Sequence, residues 1–173
     1  MKTLVNTTLC YIEKDGCYLM LHRTKKENDY NHDKWIGIGG KFENGEGPED
    51  CAIREVREET GLEISPEDLR YCGIVTFVDK TVVEPVETTF NGYTEFMHVF
   101  HATKFSGKLI EDCSEGDLEW VPISKLSELP QWEADEIFEK FVIEKKPFFS
   151  LKVIYKNNKL IETYLSGVKF SSN

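Results

Sequence analysis

Residues 40–62 read GKFENGEGPEDCAIREVREETGL, and this segment constrains the chain more than any other. Its second half has the marks of a helix at both ends. Pro48 suits a first-turn position, Glu49 and Asp50 put negative charge near the N-terminus, and Gly61 suits the C-terminal cap. Glu55, Glu58 and Glu59 are related as i, i+3 and i+4, so their carboxylates crowd one side. Ile53, Val56 and Thr60 fall opposite, with Ala52 at the edge. Such a helix must bury one face and offers a cluster of oxygen ligands on the other. Taken alone, the cluster equally fits a solvated face, because like-charge pairs at this spacing cost only about 0.2–0.5 kcal/mol each.

The surrounding sequence supplies a sheet for that helix to cover. Residues 4–13 and 18–23 predict a strand pair joined by a turn around Lys14-Asp15-Gly16. The stretch KWIGIGGKFENGEG is read as too glycine-rich for a regular element. Further strands are expected near 69–79, 93–105 and 118–123, the second of them apolar on both faces and so buried on both sides. A helical turn near 124–129, a helix from Glu133 to Glu144 and a hairpin turning at Asn157-Asn158 complete the pattern.

Length and charge narrow the function. A chain of 173 residues suits one domain with a single core. The N-terminus meets Glu13 and Asp15 before any signal-peptide core develops, and no stretch approaches the ~20 apolar residues of a membrane span, so a cytoplasmic protein is expected. Five scattered cysteines without a CxxC pair argue against a disulfide framework, and His98 and His101 should point to opposite faces of a strand rather than share zinc. The formal charge of −10, with no basic stripe, disfavours a nucleic-acid polymer as partner. A small anionic substrate is compatible with this charge if metal ions neutralise it locally. No protein partner can be inferred.

The 40–62 segment resembles the Nudix box, G-x5-E-x7-R-E-U-x-E-E-x-G-U with U aliphatic. Gly40, Glu46, Arg54, Glu55, Val56, Glu58, Glu59, Gly61 and Leu62 match it without departure. The resemblance implies an α+β Nudix fold, an α/β/α sandwich with a mixed β-sheet, in a single domain over residues 1–173. It also implies Mg²⁺, or Mn²⁺, held by Glu55, Glu58, Glu59 and the Gly39 carbonyl, the hard oxygen donors such ions take. Glycines at 37, 39 and 40 would let the backbone approach ion and phosphates. The implied chemistry is metal-assisted hydrolysis, with Glu55, Glu58 and Glu59 as the catalytic acids and Glu58 or Glu59 as general base. Arg54 is expected off the glutamate cluster, pairing with Glu46 to tie loop to helix.

Beyond the box, KWIGIGGKFENGE, SEGDLEWVP and WEADEIFEKFVIEKKPFFSLKVIY are similar to the MutT-type, MutX-like oxidised-purine nucleoside triphosphatases. That similarity implies hydrolysis of 8-oxo-dGTP to 8-oxo-dGMP and pyrophosphate, a nucleotide-pool-sanitising role allied to DNA repair. It adds Glu115, five residues before Trp120, as a metal ligand. It makes Trp132 a stacking wall and Asp135 a base contact, with Thr8, Arg23, Gly40, Lys41 and Phe77 among the substrate-binding residues. Two positions depart from a mammalian relative: Ala134 replaces the first of paired acids, and Ile36 rather than asparagine follows Trp35. ADP-ribose, a pterin triphosphate and ordinary nucleotides stay open as substrates of the same chemistry. A non-catalytic nucleotide sensor would be expected to have lost box glutamates, and all are present.

Overall fold

The structure, a computed structural model, describes residues 3–26, 29–80 and 93–171. Side-chain alternation decides its layers. In strand β1 (Thr3–Lys14), four consecutive residues, Leu9, Cys10, Tyr11 and Ile12, are buried, so both faces of the strand are covered. Cys10 and Ile12 pack with Ala52 and Val56 of helix α1 (Pro48–Thr60). Leu9 and Tyr11 pack on the other face with Ile137, Phe138, Phe141 and Val142 of helix α2 (Asp135–Ile143). Helices on opposite faces of one sheet give the expected α/β/α sandwich.

After β1, the chain turns at Asp15-Gly16, both at positive φ, into β2 (Cys17–His22). The segment expected to be irregular contains a short strand, β3 (Trp35–Ile36), paired with β2. Cross-strand pairing therefore overrides glycine content at its start. Next come β4 (Leu62–Glu63), β5 (Leu69–Asp79), β6 (Tyr93–Ala102), β7 (Ser106–Gly107) and β8 (Asp117–Pro122). A 3₁₀ turn at Ile123–Glu128 precedes α2, and β9 (Phe149–Lys156), β10 (Lys159–Leu165) and β11 (Val168–Lys169) follow it. The β9–β10 hairpin turns at Asn157 and Asn158, both at positive φ, as expected.

Among the described residues, the main sheet runs β11-β10-β9-β5-β6-β1-β2-β3, with β8 also on β2, while β4 and β7 pair separately. It is mixed, because β1–β6 and β5–β9 are parallel and the other pairs antiparallel. β6 stops three residues short of the expected boundary. Only its last four residues are buried on both faces; Tyr93 to His98 are partly exposed, and Tyr93, Glu95 and Met97 among them line a cavity. His98 and His101 face opposite sides, bonded to Tyr71 and to Glu13 (2.8 Å) respectively. The five cysteines are free. Among the described residues, no helix is long and apolar enough to cross a membrane.

β2 pairs with β1 only near the hairpin, at Glu13 and Lys14, and leaves the rest of that edge open. Residues 38–42 fill it through Cys10 N–H to Ile38 O (2.6 Å), Thr8 N–H to Gly40 O (2.9 Å) and Phe42 N–H to Asn6 O (3.2 Å). This pairing sets the glycine-rich loop at the centre of the sheet.

A bulge between Tyr71 and Gly73 lets β5 lie close to β9, where a Cβ at position 73 would sit 2.6 Å from the Phe149 ring. Gly73→Ala is therefore expected to cost about 1–3 kcal/mol, or roughly 2–10 °C in Tm. Thermal melts followed by circular dichroism check it; an unchanged Tm would show that β9 gives way freely.

Candidate active site at the loop–helix junction

Helix α1 begins where the Gly47 N–H donates to Asp50 Oδ2 (2.9 Å) and ends at Gly61, whose φ of 75° is left-handed. A Cβ there would also meet the Lys108 carbonyl oxygen at 2.7 Å, so the cap requires glycine twice over. Between these ends the three glutamates separate by burial. Glu58 is exposed and Glu55 half-buried, whereas Glu59 is only 8% exposed. The carboxylates are thus not gathered on one open face. The buried stripe is Cys51, Ala52, Val56, Glu59 and Thr60, and Ile53 is only partly buried. The reason is that α1 packs against the 39–40 loop as well as the sheet, which rotates its contact face. Gly39 N–H donates to Glu59 Oε2 (3.2 Å), and a Cβ at Gly40 would lie 2.5 Å from the Glu55 carboxyl carbon.

Arg54 departs from expectation in the same way. It does tie loop to helix, with Nε to Glu46 Oε1 at 2.6 Å, Nη2 to Glu46 Oε2 at 3.0 Å and Nη2 to Lys41 O at 3.0 Å. It is not off the glutamate cluster, because Nη1 also donates to Glu55 Oε1 (2.8 Å) and Glu58 Oε2 (3.1 Å). A rigid fork of five donors can satisfy three carboxylates and a carbonyl at once. Its hydrogen bonds hold the Glu46 carboxyl down at about 2.

The remaining acids lie under strain of charge. Burial, then the Glu55 charge, pushes Glu59 up to about 8, against the pull of the Gly39 amide and Arg23. Burial raises Glu55 as well. Glu115 is within electrostatic reach of Glu59 and is held by Arg23 Nη2 (2.8 Å) and by Lys26. All these donors are hard oxygens, and buried carboxylates that repel one another are what a divalent cation relieves. The residues fit such an ion chemically. Among the described residues, however, no three ligating side chains already close around one point. Glu55 and Glu58 turn to Arg54, and Glu115 turns to Arg23 and Lys26. Holding a metal would mean exchanging these cationic partners for the ion.

A cavity of about 600 Å³ opens from this loop across the sheet face covered by α2. All seven residues expected at the substrate, Thr8, Arg23, Gly40, Lys41, Phe77, Trp132 and Asp135, line it. Thr8 does so without offering its hydroxyl, which contacts Cys51 Sγ (3.5 Å) beneath α1. Its neighbour Thr7 presents a hydroxyl on the cavity side, because alternate strand residues face opposite ways. The Trp132 ring stacks on Tyr30 (4.8 Å between centroids), meets Tyr155 edge-on (5.7 Å) and carries Lys34 Nζ over its face (5.0 Å). Its indole N–H donates to Asn31 Oδ1 (2.8 Å). Asparagine is absent after Trp35, yet one reaches the cavity from the polar stretch before it. Tyr30, Asn31, Glu95 and Tyr155 were not foreseen as lining residues. For Glu95 and Tyr155 the signal was strand parity once the cavity face is known; Tyr30 and Asn31 gave none.

Asp135 opens α2 with Oδ2 accepting from the Trp132 N–H (3.0 Å), and the surface it exposes faces the cavity. Enclosure by protein, then the Glu139 charge, pushes it up to about 8. Glu139, one turn on and 3% exposed, is pushed to about 7 by burial, although Gln131 Nε2 (2.7 Å) and Tyr11 OH (3.2 Å) donate to its Oε1. Both carboxyls bind protons more tightly folded than unfolded. Their contribution favours folding at low pH and is lost as pH rises from the ordinary carboxylate range through about 7 and 8. Tm in the absence of divalent cations is therefore expected to fall between pH 5 and pH 8. Glu139→Gln keeps the Oε1 acceptor and should reduce that fall by several degrees. Identical slopes in both proteins would contradict the assignment.

Comparison with known proteins agrees with this architecture. The family model for the NUDIX domain matches residues 3–141. An uncharacterised Nudix hydrolase of Bacillus subtilis (strain 168) is 30% identical over 135 residues, covering 78% of this chain and 77% of that protein. The oxidized purine nucleoside triphosphate hydrolase of Danio rerio is 29% identical over 146 residues, covering 83% and 85% respectively. In fold, the mutator MutT protein of Bacillus halodurans superposes with a TM-score of 0.76 at 24% identity, over 94% of this chain and 97% of that one. With a complete Nudix box on a Nudix fold, the chain belongs to the Nudix family of hydrolases.

Proposed function

We propose that this Nudix hydrolase cleaves oxidised purine nucleoside triphosphates in a Mg²⁺-dependent reaction, converting 8-oxo-dGTP to 8-oxo-dGMP and pyrophosphate. This would remove damaged precursors from the nucleotide pool, in the cytoplasm. The observation that carries the proposal is continuity: one cavity runs from Gly39, Gly40 and Lys41 of the box loop to Trp132 and Asp135. A nucleotide needs both ends, a cationic seat for its phosphates and a flat wall with a polar group for its base. The sequence similarity to proteins named oxidized purine nucleoside triphosphate hydrolases, from Danio rerio and Mus musculus, supports the substrate class.

The Nudix box is the segment with which this family binds Mg²⁺, and Mn²⁺ suits the same donors. In this chain Glu55, Glu59 and the Gly39 carbonyl would hold the ion, with Glu115 joining after release from its cationic partners and Glu58 left free to act as base. Bound there, it supplies charge neutralisation for the phosphate chain and activation of water. The chain's own groups do the rest. Arg23 and Lys41 bind phosphate charge, and the closely approaching glycines leave room for it. Glu58, exposed at 56%, is the carboxylate that water reaches most readily and takes its proton. As the oxygen of that water bonds to phosphorus, a bridging P–O bond breaks and pyrophosphate leaves. At neutral pH Asp135 retains its proton and donates a hydrogen bond to an acceptor on the base edge, while the base stacks on Trp132 in the place that Tyr30 takes here.

Pyrophosphate release from 8-oxo-dGTP and dGTP tests this reading. Release is expected to favour the oxidised nucleotide, to stop on chelation of Mg²⁺, and to fall by about 10²–10⁴ in Glu58→Gln. Equal turnover of the two nucleotides would sink the sanitising role, and turnover of ADP-ribose alone would replace it. Asp135 supplies a second check. Because only its neutral form donates, KM for 8-oxo-dGTP should rise above about pH 8 in the wild type and stay level in Asp135→Asn. Parallel pH profiles would show that this carboxyl does not read the base.

A further inference from the structure

Three acids that line the cavity, Asp29, Asp79 and Glu95, have no role above. Asp29 is bound to Arg23 (2.6 Å), and Glu95 is the one whose hydroxyl partners leave it acceptor positions for a ligand. Glu95, on β6, lines the cavity, and its two oxygens are held from opposite sides. Thr7 Oγ1 donates to Oε1 (2.5 Å) and Tyr93 OH donates to Oε2 (3.1 Å). A carboxylate has about four acceptor positions, so two remain for a ligand. The hydroxyls orient it rather than neutralise it, and a negative group in this place repels phosphate while attracting donors.

Its position along the cavity indicates which donors. On one side, Thr7 bridges to Lys41 of the box loop. On the other, Glu95 is the cross-strand neighbour of Phe77, which stacks on Tyr155 (4.9 Å), which in turn meets the edge of Trp132 (5.7 Å). Glu95 therefore lies between the phosphate end and the stacking wall. In a nucleotide the group between phosphate and base is the sugar, and its donors are hydroxyls.

We propose that Glu95, oriented by Thr7 and Tyr93, is a specificity-determining residue that accepts hydrogen bonds from the 2′- and 3′-hydroxyls of the bound nucleotide, so that the site prefers ribose to deoxyribose. This inference rests on reading the cavity as the nucleotide site, and it extends the substrate class to oxidised ribonucleotides such as 8-oxo-GTP. A deoxyribonucleotide offers Glu95 one hydroxyl, and a ribonucleotide offers two.

Calorimetric titration of the full chain with 8-oxo-GMP and 8-oxo-dGMP, in chelator so that metal chemistry plays no part, tests it. The wild type should bind the ribonucleotide about tenfold more tightly, the discrimination one extra hydrogen bond to a charged acceptor confers. Glu95→Gln and Glu95→Ala should narrow the ratio to within about twofold, mainly by weakening 8-oxo-GMP. Thr7→Val should narrow it too, by freeing the carboxylate to turn, and stands in if Glu95 variants fail to fold. A ratio unchanged in these variants, or an equal loss for both nucleotides, overturns the proposal. Trp132→Ala separates it from the broader reading. If that variant abolishes binding while the Glu95 variants leave the sugar ratio untouched, the sugar assignment alone is wrong. If neither nucleotide binds the wild type, or Trp132→Ala binds both as well as before, both readings fall.

Discussion

The open edge of β1 is completed by the chain's own glycine-rich loop, through backbone bonds that include Thr8 N–H to Gly40 O (2.9 Å) and Cys10 N–H to Ile38 O (2.6 Å). Steric exclusion makes this pairing depend on residue type, since a Cβ at Gly39 would lie 2.6 Å from the Thr8 carbonyl carbon. Because the loop is seated on a strand with both faces covered, it cannot drift, and everything attached to it inherits that position. Helix α1 follows within a few residues, and Arg54 reaches back to bind Glu46 and the Lys41 carbonyl. The acidic helix and the cavity then meet at one place, Gly39 and Gly40. Loop, helix and cavity form a single mechanical unit anchored on β1.

That unit concentrates negative charge in a chain whose formal charge is already −10. Glu59 and Glu55 are raised by burial on one side of the loop, and Asp135 and Glu139 on the other. Such groups oppose folding at neutral and alkaline pH, and carboxyls raised in this way beside a cavity mark candidate functional positions. The two pairs suit different tasks. Glu55 and Glu59 border glycines and a cationic environment, where the proposed metal ion would relieve their repulsion. Asp135 faces an aromatic wall, where a retained proton would make it the donor proposed above.

Much of this was readable from local chemistry. The ends of α1 follow from Pro48 and Gly61, the hairpins from Asp15-Gly16 and Asn157-Asn158, and the covering of β1 on both faces fits the sandwich that the motif implied. What escaped depends on which surface meets which. The helical wheel puts Glu59 with the other acids, but the wheel does not contain the 39–40 loop that buries it. Thr7 and Thr8 are adjacent polar residues, and only the side on which α2 packs determines that Thr7 faces the cavity. The spacing places Arg54 off the glutamate cluster and pairs it with Glu46, and does not show that its Nη1 points along the helix toward Glu55 and Glu58. Tyr30 and Asn31 come from a polar stretch with no periodicity, and tertiary contact alone brings them to Trp132.

The central claim is that one cavity joins the glycine-rich loop, on which the box carboxylates border, to the base wall. A crystal structure with Mg²⁺ and a non-hydrolysable analogue of 8-oxo-dGTP tests it most directly. The account predicts an ion at about 2.0–2.1 Å from box carboxylate and phosphate oxygens, with the oxidised base stacked on Trp132 and within hydrogen-bond distance of Asp135. A base lying outside the cavity, or an ion bound away from Glu55 and Glu59, would contradict it.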